Sequence, residues 1–146
     1  MALTRMQGKS VVVSGAALGI GRATAAKFAQ EGAFLLVQDI QERALLAFRD
    51  ELRRNGARVE AVVGDVSRVE DCQAMIGAAV DTYGRVDVVV ANAGIISLGD
   101  VVESTVDDWE KVMAIDGRGM FLTCKYAIEA MSKTGGGSII CLSSIS

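Results

Sequence analysis

Five short runs rich in Val, Ile and Leu limit the fold most strongly: "KSVVVSG", "AFLLVQD", "RVEAVVGDV", "RVDVVVANAG" and "GGSIICLSS". They read as strands that are apolar throughout rather than at alternate positions, as strands covered on both faces are. Segments of helical period lie between them. Gly19 to Glu31 is closed by Gly32, and Gln41 to Arg54 carries Leu45, Phe48 and Leu52 at helical spacing before Asn55-Gly56. Ser67 and Glu70 predict a capping box for a third helix with Val69, Cys72, Ile76 and Ala79 as its buried stripe. "GIISLGDVVEST" reads as loop, and Thr105 with Asp108 opens a long helix to about Met131. Strand and helix in strict alternation predict a parallel sheet, and right-handed crossovers leave an α/β doubly wound fold. Residues 1–146 form a single domain without an internal linker or a repeat beyond this rhythm.

Composition narrows the function. A net charge of −3 with scattered Lys and Arg leaves no footprint for nucleic acid. No apolar run reaches the ~18 residues of a membrane span. "MALTRMQGKS" lacks the apolar stretch and cleavage site of a signal peptide, so the expected location is cytoplasmic. Cys72, Cys124 and Cys141 are odd in number, far apart in sequence and set in apolar segments, and they read as buried thiols of a reducing compartment. No metal site is expected. The chain has no histidine, which removes imidazole from both acid/base chemistry and metal ligation.

The chemistry is signalled by "SGAALGIG", placed between the first strand and the first helix. Gly15, Gly19 and Gly21 permit a tight turn and let backbone approach a pyrophosphate at the positive start of the helix. Asp39 ends the second strand, eighteen residues after Gly21. A carboxylate there can accept hydrogen bonds from the adenosine ribose hydroxyls and repels a 2′-phosphate. Neither Leu18 nor Ile40 offers a cation to such a phosphate, so NAD is expected over NADP.

Taken in order and spacing, "SGAALGIG", "GDV" at 64–66, "ANAG" at 91–94 and "GGSIICLSSIS" resemble the short-chain dehydrogenases/reductases over the whole chain. The resemblance implies a Rossmann-type fold with five of the family's strands present. It also implies hydride transfer between a nicotinamide and an alcohol or ketone substrate, and a homo-oligomer, dimer or tetramer, formed through the long helix. Ser14 stands where the family usually has threonine before the first glycine. With Gly15, Leu18, Gly19, Ile20, Gly21, Asp39 and Ile40, it is carried over as cofactor-binding. Asp65 and the backbone of Val66 match positions that meet the adenine, and Asn92, Ala93 and Gly94 match the segment beside the cofactor ribose. Ser144 matches the catalytic serine that hydrogen-bonds the substrate oxygen.

Two departures from the family stand out. Asp116, in "AIDGRGMF", occupies the place of a relay asparagine, and an ionised aspartate accepts hydrogen bonds without donating. Helical period groups it with Trp109, Val112, Met113 and Met120 on an apolar, inward-facing stripe. The family's Tyr-x-x-x-Lys pair is expected about a dozen residues beyond the serine, and neither Tyr83 nor Tyr126 has a lysine four residues on. The domain is therefore read as incomplete after Ser146 and, as a 146-residue chain, inactive. A non-catalytic nucleotide-binding or interaction module is the alternative reading.

Overall fold

A computed structural model describes residues 4–144. The strands are β1 (Ser10–Ser14), β2 (Phe34–Asp39), β3 (Arg58–Val63), β4 (Val88–Ala91) and β5 (Ser138–Cys141). All pair in parallel in the order β3-β2-β1-β4-β5. The first three helices are α1 (Gly19–Gln30), α2 (Glu42–Arg54) and α3 (Val69–Tyr83). A long helix follows in three parts: α4 (Val106–Val112), a π-helical segment (Met113–Gly119) and α5 (Met120–Met131).

Strand alternation sorts the core onto two faces. Val11, Val13, Leu35 and Val37 pack with Leu45, Phe48 and Leu52 of α2. Val12, Leu36 and Val89 pack on the other side with Met75, Ile76 and Ala79 of α3 and Ala127 and Met131 of α5. β1 is buried along its whole length and β2 and β4 nearly so, as expected of apolar strands. Among the described residues β3 and β5 lie at the two ends of the strand order and keep exposed positions at both ends, so the double cover seen on β1, β2 and β4 is not complete on them.

The order places β1 between β2 and β4, where successive crossovers leave in opposite directions. In open α/β sheets this switch point opens a crevice beyond the carboxyl ends of the strands. The Gly15–Gly21 loop and the Asn92–Gly94 segment both emerge there.

Two local expectations fail. Ser67 and Glu70 form no capping box; α3 starts after Arg68, and no side chain caps it. The Ser67 amide instead donates to Asp65 Oδ1 at 2.8 Å, and the Asp65 amide donates to Asp71 Oδ2 at 2.8 Å. The tight turn at Asp65 takes the donor that the box needed and delays the helix by one residue. The apolar stripe around Asp116 is open as well: Trp109 is 63% and Met113 44% exposed. Trp109, Val112, Asp116 and Met120 still share a face, since all four line one cavity, but that face is open to the cavity rather than packed in the core, and a wider π turn runs through it over Met113–Gly119. The Thr105–Asp108 box does form, with the Asp108 amide 3.1 Å from Thr105 Oγ1 and the Thr105 amide 3.1 Å from Asp108 Oδ2.

The opposite end of the sheet is pinned by Asp87. Its buried carboxylate accepts the Ser10 amide at 2.9 Å and pairs with Arg85 at 2.7 Å and Lys9 at 3.6 Å. Burial pushes this carboxyl up, but the Ser10 amide and the two cations together hold it below the usual carboxylate range. A folded value below the unfolded one means that Asp87 stabilises fully above the ordinary aspartate range, about pH 4. That contribution is lost as pH falls through the folded value. Asp87→Ala should cost about 1–3 kcal/mol at neutral pH, with the deficit shrinking in acid. Thermal melts of both proteins at neutral pH and near pH 3 measure it.

Candidate dinucleotide cleft

The loop after β1 is anchored from two sides. Ala16 donates its amide to the Gln38 carbonyl at 2.9 Å, and Ala17 donates to Asp39 Oδ2 at 3.0 Å. From β4, the Asn92 side-chain amide donates to the carbonyls of Ser14 and Gly15, both at 3.0 Å. Ser14 is buried behind the loop, and its hydroxyl accepts the amides of Asn92 at 3.1 Å and Ala93 at 3.2 Å. The hydroxyl that the sequence singles out therefore ties β1 to β4.

Gly19 and Gly21 serve different ends. A Cβ on Gly21 would overlap the Gly15 carbonyl, so this glycine closes α1 against the loop. Gly19 has φ +56°, and a Cβ there would meet nothing within 4 Å. It borders open space instead. No side chain caps the first turn of α1, whose preceding residue is Leu18. The positive end of a 12-residue helix thus faces the opening without an internal acceptor.

That opening is a cleft of about 410 Å³. It gathers Gly15, Leu18, Gly19, Ile20, Asp39, Ile40, Asp65, Val66, Asn92, Ala93 and Gly94. Every cofactor-binding candidate lines it except Ser14, which stands behind, and Gly21, which packs beneath. Asp39 is only 7% exposed and accepts backbone amides with both oxygens, from Ala17 and, at 2.9 Å, Gln41. Leu18 and Ile40 flank it with exposed apolar side chains. The nearby Arg22 is held by Glu51 at 2.5 Å and lies over the Phe48 ring.

Gln38 also lines the cleft and was not singled out by sequence. Its side-chain amide donates to the Gly64 carbonyl, fixing the end of β3 beside Asp65. A polar residue inside the buried run "FLLVQD" was the available signal.

A second cavity of about 640 Å³ shares Asn92–Ile95 with the first. Ser144, Asp116, Trp109 and Met120 border it. Asp116 Oδ1 accepts the Ile95 amide at 2.9 Å, so the carboxylate fastens the long helix to the loop after β4. Asp108, the other acid on the wall, accepts the Thr105 amide and hydroxyl, which hold its carboxyl below the usual range.

Neither tyrosine borders this cavity. The Tyr83 hydroxyl donates to the Leu35 carbonyl at 2.7 Å and is pushed up to about 12, chiefly by burial. Tyr126 packs against the core beneath α5. Among the described residues there is no cluster of three metal-ligating side chains, and no helix is long and apolar enough to cross a membrane.

The chain is 38% identical over 138 residues to an uncharacterized oxidoreductase of Thermotoga maritima, covering 94% of this chain and 54% of that protein. It is 34% identical over 141 residues to the 3-oxoacyl-(acyl-carrier-protein) reductase of the same organism, covering 97% of this chain and 57% of the relative. The crystal structure of a short-chain dehydrogenase/reductase from Burkholderia phymatum in complex with NAD superposes with a TM-score of 0.92 at 33% identity. That match covers 96% of this chain and 50% of the solved one. The chain thus spans about half the length of the curated relatives it matches. The family model described as short chain dehydrogenase matches residues 9–146, and with the parallel sheet and its glycine loop this shows that the chain belongs to the short-chain dehydrogenase family.

Proposed function

We propose that the chain is the dinucleotide-binding part of an NAD-dependent oxidoreductase acting on a small alcohol or ketone. The observation that carries this reading is the uncapped start of α1 facing a cleft in which Gly19 leaves the space of a side chain empty. A pyrophosphate fits that place because it needs backbone donors at contact distance and a positive helix end. Asp39 would hold the adenosine ribose, since a carboxylate has about four acceptor sites and its two backbone bonds leave others open. Asp65 and the backbone of Val66 would border the adenine, and Asn92–Gly94 the second ribose.

A nicotinamide dinucleotide bound there supplies or takes up a hydride at its nicotinamide ring. The chain's own residues hold and orient. Ser144 would donate a hydrogen bond to the substrate oxygen at the wall of the second cavity, and Asp116 would hold the Ile95 loop that separates the two spaces. A pairing of copies through α4 and α5 would cover Trp109, Phe121 and Ile128, which are all exposed.

The preference between cofactors follows from charge. The Asp39 carboxylate beside apolar Leu18 and Ile40 should disfavour a 2′-phosphate by about 1–3 kcal/mol, or roughly 5- to 150-fold in affinity. Titration of NADH and NADPH should show that gap, and Asp39→Ala should narrow it. Equal or tighter NADPH binding by the unaltered chain overturns the assignment.

One observation favours the non-catalytic alternative: among the described residues no tyrosine or lysine stands on the wall of the second cavity. An in-frame Tyr-x-x-x-Lys in the coding sequence downstream of Ser146 supports the enzyme, and a stop codon there supports the binding module.

A further inference from the structure

Cys124 and Cys141 are separated by 17 positions in sequence, yet their sulfurs lie 3.6 Å apart. The expectation of three separately buried thiols therefore holds only for Cys72; Cys124 is half-buried and Cys141 exposed. Strand alternation explains the meeting. Ile139 packs into the core under α5, and Leu142 packs into the core on the opposite face. Cys141 shares the Ile139 side and so looks toward α5, which presents Cys124.

Bond formation would close the sulfurs from 3.6 Å to about 2 Å, a movement within reach of side-chain rotation and a small shift of β5. The two thiols are unequal. Among the described residues Cys141 is open to solvent-borne reagents, whereas burial, reinforced by the neighbouring Cys141 sulfur, pushes the Cys124 thiol up to about 11. Cys124 is thus a poor first target and a well-placed second one. Cys72 provides an internal contrast: its sulfur is buried, 3.1 Å from the Val66 carbonyl and 4.0 Å from the Thr123 hydroxyl.

We propose that Cys124 and Cys141 form a peroxide-sensitive dithiol that closes to an intrachain disulfide tying helix α5 to the strand that leads to Ser144. In the first step the Cys141 thiolate attacks one oxygen of a hydroperoxide. The O–O bond breaks, the departing oxygen takes a proton, and the sulfur, two electrons poorer, becomes a sulfenic acid. In the second step the Cys124 sulfur attacks the Cys141 sulfur. The S–O bond breaks, and the released hydroxide takes the Cys124 proton and leaves as water. For hydrogen peroxide the sum is two thiols and one peroxide giving one disulfide and two waters.

The bond lies where it would bear on the second cavity. α5 runs back through the π turn to Asp116, and β5 runs on to Ser143 and Ser144. The disulfide would fix the spacing of those two walls. The oxidation itself does not depend on the dinucleotide reading.

The test oxidises the reduced, folded chain with an equimolar to few-fold excess of hydrogen peroxide, alkylates the remaining thiols, and maps the peptides by mass. The expected result is a fall in alkylatable thiols from three to one, a joined Cys124–Cys141 peptide, and full reversal by dithiothreitol. Cys124→Ser should leave Cys141 as a sulfenic acid trapped by dimedone, with no joined peptide. Three thiols surviving the peroxide overturns the proposal. So does over-oxidation of Cys141 without a bridge, or a bridge that includes Cys72. If Cys124→Ser does not fold, the peptide map of the unaltered chain decides alone.

Discussion

Gly19→Val is expected to weaken dinucleotide binding by at least about 100-fold, equivalent to ~2.7 kcal/mol, while most of the helical circular dichroism survives. The side chain would enter the open space beside the start of α1 rather than a packed contact, because nothing lies within 4 Å of that Cβ position. Its positive φ adds a local conformational cost of about 1–2 kcal/mol. Gly19→Ala, with the smaller group, should weaken binding in the same direction with less strain. Gly21→Ala makes the contrast, since its Cβ collides with the Gly15 carbonyl and the damage should appear in stability. Unchanged affinity in Gly19→Val would reduce the loop to a turn.

Residues 1–146 alone are expected to show no alcohol or ketone turnover, even with dinucleotide bound. A hydroxyl at Ser144 can orient and polarise an oxygen, but moving the proton needs a positioned acid or base, worth about 10²–10⁴-fold. The two acids on the cavity wall are engaged, Asp108 with Thr105 and Asp116 with the Ile95 amide. Tyr83 and Tyr126 are held elsewhere in the core. In a chain extended through the Tyr-x-x-x-Lys segment expected from the family, turnover should appear. Ser144→Ala should then lower kcat by about 10²-fold or more, the scale of removing one donor to the reacting oxygen. NADH absorbance with a panel of small alcohols and ketones follows both proteins. Robust turnover by residues 1–146 that is lost in Ser144→Ala would refute the division of labour proposed here.

The sheet was legible because its information is local and repeated. Each strand is a short apolar run bounded by Gly, Asp or Ser, and burial on both faces of β1, β2 and β4 requires that pattern. The cleft was legible through residues whose type is dictated by backbone approach or charge, namely Gly15, Gly19, Gly21 and Asp39. What escaped depends on alternatives of similar free energy or on contacts between distant segments. Ser67 and Glu70 satisfy the capping-box pattern, yet Asp65 takes the Ser67 amide that the box needs. Asp116 does share a face with Trp109, Val112 and Met120, but periodicity does not distinguish a face that lines a cavity from one packed in the core. Cys124 and Cys141 carry no mark of proximity, because only the pairing of β5 with β4 and the packing of α5 over them bring the sulfurs together.

Whether the cleft beyond β1 and β4 holds NAD is tested most directly by titrating NADH into isotope-labelled residues 1–146 and following the backbone amide signals. Saturable binding of one dinucleotide per chain is expected. The largest shifts should fall on Gly15–Gly21, on Asp39 to Gln41 and on Asn92–Gly94, the segments that line the cleft. Absence of saturable shifts, or shifts centred away from those three segments, would contradict NAD binding in this cleft.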